Sequence, residues 1–160
     1  MDEERLKTAR AIALRALARS ACSQAQIERR LAKHGFPDDI IAQVIEELKA
    51  RGWLDDARFA QDWVADRADR KRYGRRRLVE ELKARGLTQD LLETTLPPLD
   101  PEAELQRARA AVARRWPPGS LAHLEGEALL AEKRRCAAFL ARRGFDNTII
   151  KKVLEELTSK

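Results

Sequence analysis

The chain has 160 residues, 36% of them charged, 44% hydrophobic and 5% aromatic, with a formal net charge of +6. This composition favours amphipathic helices around small cores and excludes one large globular core. Its apolar runs, such as Ala137 to Ala141, are too short to span a bilayer.

The N-terminus, Met1-Asp-Glu-Glu-Arg5, lacks the basic-then-apolar order of a secretory leader, so a cytoplasmic location is expected. Residues 5–20 read as a first helix, with Leu6, Ala9, Ala13, Leu14 and Leu17 at helical spacing. Ser23 with Gln26 forms a capping box that opens a second helix. That helix closes at Gly35-Phe36, and Asp38 starts a third. Residues 56–72 carry Phe59, Trp63 and Val64, of which Phe59 and Trp63 are expected to enter the core. Tyr73-Gly74 makes a turn, and the next helix begins Arg75-Arg76-Arg77 and closes at Gly86-Leu87. Thr88 starts a short helix that Pro97-Pro98 stops. Asp100-Pro101-Glu102 opens residues 101–116 with proline at the first helical position. A longer loop around Trp116 to Ser120 follows, then a helix closing at Gly144-Phe145 and a last one started by Asp146.

Three of these helix ends align. Around Gly35, Gly86 and Gly144, apolar residues stand eight and four before the glycine, one after it, and five and six after it. The heptapeptide EELKARG, which occurs at Glu46–Gly52 and Glu80–Gly86, is out of phase with this alignment and marks two different helix ends. The repeating unit is therefore three helices used three times. The expected units are 1–53, 54–99 and 100–160, forming an elongated, curved all-α molecule. Aligned glycines are 51 and then 58 residues apart, and the excess is assigned to the loop near Trp116.

Chemistry-bearing patterns are scarce. His34 and His123 lie in different units with no ligand-spaced neighbours, Cys22 and Cys136 read as free thiols in helical, apolar surroundings, and no phosphate loop occurs. No enzyme activity, cofactor or metal is expected. The informative stretch is Arg67 to Arg77, with seven cations against Asp69. Arginines at a helix N-terminus oppose its dipole, which points to an anionic partner. The candidate binding residues are Arg67, Arg70, Lys71, Arg72, Tyr73, Arg75, Arg76 and Arg77. Tyr73 reads as a plug between helices, with base stacking as the alternative.

Gly52-Trp53-Leu54-Asp55-Asp56-Ala57-Arg58-Phe59-Ala60, followed by Tyr73-Gly74, Arg77-Leu78, Glu81-Leu82 and Gly86-Leu87, resembles the RecX regulatory proteins, which modulate the RecA recombinase. Ala16 to Ser20 with Ser23, and Phe139 to Phe145, resemble the family's first and third units. Trp53 stands where tyrosine is commoner. The resemblance implies a negative regulator that binds RecA filaments on single-stranded DNA in their helical groove. It also implies inhibition of ATP hydrolysis, strand exchange and coprotease activity, with no catalytic residues. The expected state is a monomer with weak direct DNA contact and no membrane contact. The alternative is a helical protein acting directly on DNA, against which the second unit has few side chains suited to base edges. Within the motif, Asp55 and Asp56 are suited to the start of a helix and Arg58 to a carboxylate partner.

Overall fold

A computed structural model describes residues 2–159. Among the described residues the regular structure is helical: α1 (Asp2–Arg19), α2 (Gln24–Lys33), α3 (Asp38–Ala50), α4 (Asp56–Arg70), α5 (Arg75–Ala84), α6 (Gln89–Thr95), α7 (Pro101–Val112), α8 (Gly126–Arg142) and α9 (Asn147–Thr158). In order they form three groups of three.

The aligned glycines end α2, α5 and α8 in the left-handed conformation, with φ of +84°, +89° and +93°. The next residue folds back each time: Phe36 donates to Leu31 O, Leu87 to Leu82 O and Phe145 to Leu140 O, all at 3.2 Å. This is the hydrogen-bond pattern of a Schellman motif. The capping box at Ser23 is present, and Thr88, Asp100 and Asp146 each accept main-chain N–H groups at a helix start. Asp38 does not cap; Pro37 holds that position with no side-chain bond, and Asp38 lies in the first turn. The extra spacing before Gly144 also differs from expectation. α8 has 17 residues where α2 and α5 have 10, so those residues lengthen the helix. The long connection around Trp116 exists because α7 stops at Val112.

The chain divides into two compact units, one running to Asp62 with Leu82–Leu96, the other comprising Trp63–Glu81 and the chain from Pro97. The division falls inside α4 and α5. In the first unit α1, α2 and α3 pack on one another around Ala9, Ala13, Ile27, Leu31, Val44 and Leu48. In the second, α7, α8 and α9 pack around Ala108, Cys136, Leu140, Phe145 and Val153. Each unit has a matching ion pair across its helices. Arg10 meets Glu47 through two bonds of 2.7 and 3.1 Å, and Arg109 meets Glu156 likewise. Hydrogen bonding to the guanidinium holds both carboxyls below their ordinary range.

Phe59 is buried as expected, but Trp63 is only half-buried, and Trp53 is 50% exposed with Arg51 over its ring at 5.1 Å. Arg58 finds its carboxylate partner in Asp62, 3.9 Å away, and its N–H donates to Asp55 at 3.2 Å. Both cysteines are free. Cys136 is buried in α8, whereas Cys22 lies half-buried in the connection between α1 and α2. No described helix is long and apolar enough to cross a membrane.

Candidate partner-binding site

The basic segment begins in the last turn of α4. Arg67 is drawn inward: its guanidinium lies 3.3 Å from the centroid of the Trp63 ring and reaches Asp66 and Glu81. Arg70 pairs with Asp66 at 3.2 Å on the surface. The chain then turns at Arg72, which has φ +53°, the one described non-glycine residue with positive φ. Gly74, expected to supply that turn, has a different task. A Cβ there would lie 2.4 Å from Gly144 O, so the glycine permits backbone contact.

That contact joins the start of α5 to the end of α8. Gly74 N–H donates to Arg143 O at 2.6 Å and Arg76 N–H to Gly144 O at 3.2 Å. Orphan donors of one helix thus meet orphan acceptors of another. The side chains of Arg76 and Arg77 reinforce the junction, and that of Arg75 ties the start of α5 to the chain before α7. Arg75 donates to Pro97 O at 2.6 Å, Arg76 to Ala141 O at 2.7 Å and Arg77 to Arg142 O at 3.2 Å. Cations are unfavourable at the start of α5 but favourable at the end of α8. Buried Glu104 balances the start of α5, accepting Arg75 N–H at 2.8 Å while also accepting Arg107.

The first unit contains a corresponding junction between the start of α2 and the end of α5. Ser23 Oγ donates to Arg85 O at 2.5 Å, and Asp56 accepts Gln24 N–H at 2.8 Å. Burial pushes the Asp56 carboxyl up, against the opposing pull of that N–H. A Cβ on Gly86 would lie 2.2 Å from Ala25 Cβ.

What remains for a partner is a basin of about 420 Å³ lined by Arg70, Lys71, Arg72, Tyr73, Ala111, Arg114 and Arg143. Five cations and no carboxylate line it. Arg72 and Arg114 make no ion pair, and the Arg143 guanidinium donates to Lys71 O. The Tyr73 ring is half-buried, with the Arg77 guanidinium 3.8 Å from its centroid and Arg143 at 5.9 Å. The structure therefore separates the eight sequence candidates. Arg70, Lys71, Arg72 and Tyr73 line the basin, Arg75, Arg76 and Arg77 serve the junction, and Arg67 rests on Trp63.

Sequence reasoning did not single out Arg114, Arg143 or Glu104. Arg114 and Arg143 come from α7's end and α8's end, far away in the chain, and no local pattern ties them to Tyr73. Glu104 carried a signal: it is an acid directly before core Leu105 in an apolar stripe. No group of histidine, cysteine and acidic side chains able to hold a metal occurs among the described residues.

Family models cover most of the chain in sequence: "RecX, first three-helix domain" at residues 9–48, the second such domain at 55–96 and the third at 102–154. The regulatory protein RecX of Mycobacterium ulcerans (strain Agy99) is 38% identical over 148 residues, 92% of this chain and 83% of that one. That of Mycobacterium avium (strain 104) is 36% identical over 160 residues, covering 99% and 90%. The crystal structure of RecX from Lactobacillus salivarius superposes with a TM-score of 0.79 at 17% identity, covering 97% of both chains, which shows a shared fold. With three successive three-helix domains matched over most of its length and these relatives at 36–38% identity, the chain belongs to the RecX family of regulatory proteins.

Proposed function

We propose that this chain is a negative regulator of the RecA recombinase, binding RecA filaments on single-stranded DNA in their helical groove and inhibiting ATP hydrolysis, strand exchange and coprotease activity. Family membership supports the partner. The observation that carries the contact surface is the basin in which Arg72 and Arg114 are unpaired beside Arg70, Lys71 and Arg143. A filament built on DNA offers acidic protein surface and phosphate, and either would attract five clustered cations. Arg70, Lys71, Arg72 and Tyr73, with Arg114 and Arg143, meet the partner. Arg67, Arg75, Arg76 and Arg77 border this surface and fix its shape. The protein acts as a monomer in the cytoplasm and catalyses nothing.

The test adds the protein to preformed RecA filaments on single-stranded DNA and follows ATP hydrolysis with co-sedimentation. Inhibition that rises with the bound fraction is expected. Full hydrolysis with no co-sedimentation contradicts the reading. Binding to naked DNA is expected to be weak and to fall steeply with salt. Tight binding to one duplex sequence at physiological salt would instead favour direct action on DNA.

A further inference from the structure

The matching ion pairs Arg10–Glu47 and Arg109–Glu156 set a register between the first and third groups. In that register Ile12, Arg15 and His34 correspond to Ala111, Arg114 and Arg143. In the third group those positions form a groove in which the connection between α4 and α5 is seated, with Lys71 O bonded to Arg143. The second group also receives a corner at the end of α5. Ser23, in the connection between α1 and α2, donates its hydroxyl to the O of Arg85, the position that corresponds to His34 and Arg143. In the first group the equivalent groove is lined by α1 and α2 alone, through Ile12, Arg15, Ala16, Arg19, Arg30 and His34.

A second observation shows that this end of the first group is uncovered. A Cβ on Gly86 or Gly144 would collide at 2.2 and 2.4 Å with the helix docked against it, whereas one on Gly35 would meet nothing within 4 Å. The charge of the groove is also one-sided. Arg15, Arg19, Arg30 and His34 are exposed, none makes an ion pair, and no carboxylate is among the lining residues. Its floor, Ile12 and Ala16, is apolar.

We infer that the α1–α2 groove is a docking site for a helix–helix corner of a partner protein, and that the corner carries acidic side chains. The same surface receives a protein corner in the second and third groups, which favours a protein occupant over nucleic acid. The apolar floor suits one inserted side chain, and the surrounding cations select acids beside it. This chain's own corners at 20–23 and 71–74 are already seated, and the longer α7–α8 connection packs within its own group, with Leu121 buried and its N–H bonded to Leu157 O at 2.9 Å, so the occupant comes from elsewhere. The inference goes beyond the recombinase reading and does not depend on it.

The test uses the isotopically labelled full chain and a helix–turn–helix peptide that copies residues 56–84 with K71E and R72E. Titration is expected to shift the amide resonances of Ile12, Arg15 and His34, and R15E/R30E is expected to weaken binding at least tenfold. Both substituted positions are exposed, and unchanged Val44 and Leu48 resonances confirm that the variant is folded. The unmodified peptide, with its basic corner, is expected to leave those amides unshifted. Three results would each overturn the inference: shifts confined to Arg72 and Arg114, equal binding by R15E/R30E, or displacement of the peptide from the groove by an oligothymidylate.

Discussion

The two junctions solve the same packing problem with different residues. At the start of α2, Ser23 keeps its own N–H within the capping box, where Gln26 accepts it at 2.9 Å, and reaches Arg85 O with its hydroxyl. At the start of α5, Gly74 has no side chain, so its N–H goes directly to Arg143 O and the backbones come closer. Both junctions add a carboxylate to the next N–H, from Asp56 in one and Glu104 in the other. The second also recruits Arg76 and Arg77, whose side chains bond the facing helix end. A run of cations that looks like a single patch therefore divides between a structural half and an exposed half.

The comparison is broken most severely at the glycines. Gly144→Ala places a Cβ 2.4 Å from Arg77 N and Cβ at a left-handed φ, and Gly86→Ala places one 2.2 Å from Ala25 Cβ. Each is expected to cost roughly 3–5 kcal/mol in urea denaturation, summing strain and overpacking. Gly35→Ala, which meets nothing, is expected to cost only about 1 kcal/mol. Equal losses at all three positions would refute the close-approach account.

Glu104→Ala strands the Arg75 N–H and the Arg107 guanidinium in a buried place, and a loss of about 1–3 kcal/mol is expected. Ser23→Ala removes one cap and one bond across the junction; about 1–2 kcal/mol is expected by the same denaturation measurement.

Asp56→Asn sharpens the contrast from the other side, because asparagine still accepts Gln24 N–H without the cost of a buried charge. A change within about 0.5 kcal/mol is expected. The Asp56 carboxyl is raised in the folded chain, so its charge disfavours folding at neutral pH. Any advantage of Asp56→Asn should shrink as pH falls and Asp56 takes up its proton. Glu47 and Glu156 behave oppositely. Their lowered carboxyls contribute stability above the ordinary carboxylate range and lose it as acid protonates them. Thiol chemistry gives the smallest effect. The Cys136 thiol is pushed up to about 11 by burial, so a disulfide reagent is expected to label Cys22 first in the folded protein.

Helix starts, helix ends and the threefold repeat were legible because each depends on residues within one turn. Gly35-Phe36, Gly86-Leu87 and Gly144-Phe145 announce themselves through backbone chemistry alone. The purpose of Gly74 and of Arg75 to Arg77 was not legible. For Gly74, Arg76 and Arg77 it depends on the carbonyls of Ala141 to Gly144, more than sixty residues away, and for Arg75 on Pro97 and Glu104, more than twenty away. For the same reason the sequence pointed to Lys71 and Arg72 but not to Arg114 and Arg143, which complete their basin. Trp63 escaped its expected core position because Arg67 and Glu81 offered its ring and N–H polar partners at the surface.

The division of the basic segment is tested most directly by two variants measured side by side, R70E/R72E/R114E and R75A/R76A/R77A, for thermal stability and for inhibition of filament-dependent ATP hydrolysis. The account predicts that the first keeps the wild-type melting temperature and loses inhibition, while the second melts earlier. A first variant that inhibits like wild type, or a second that melts like wild type, would contradict it.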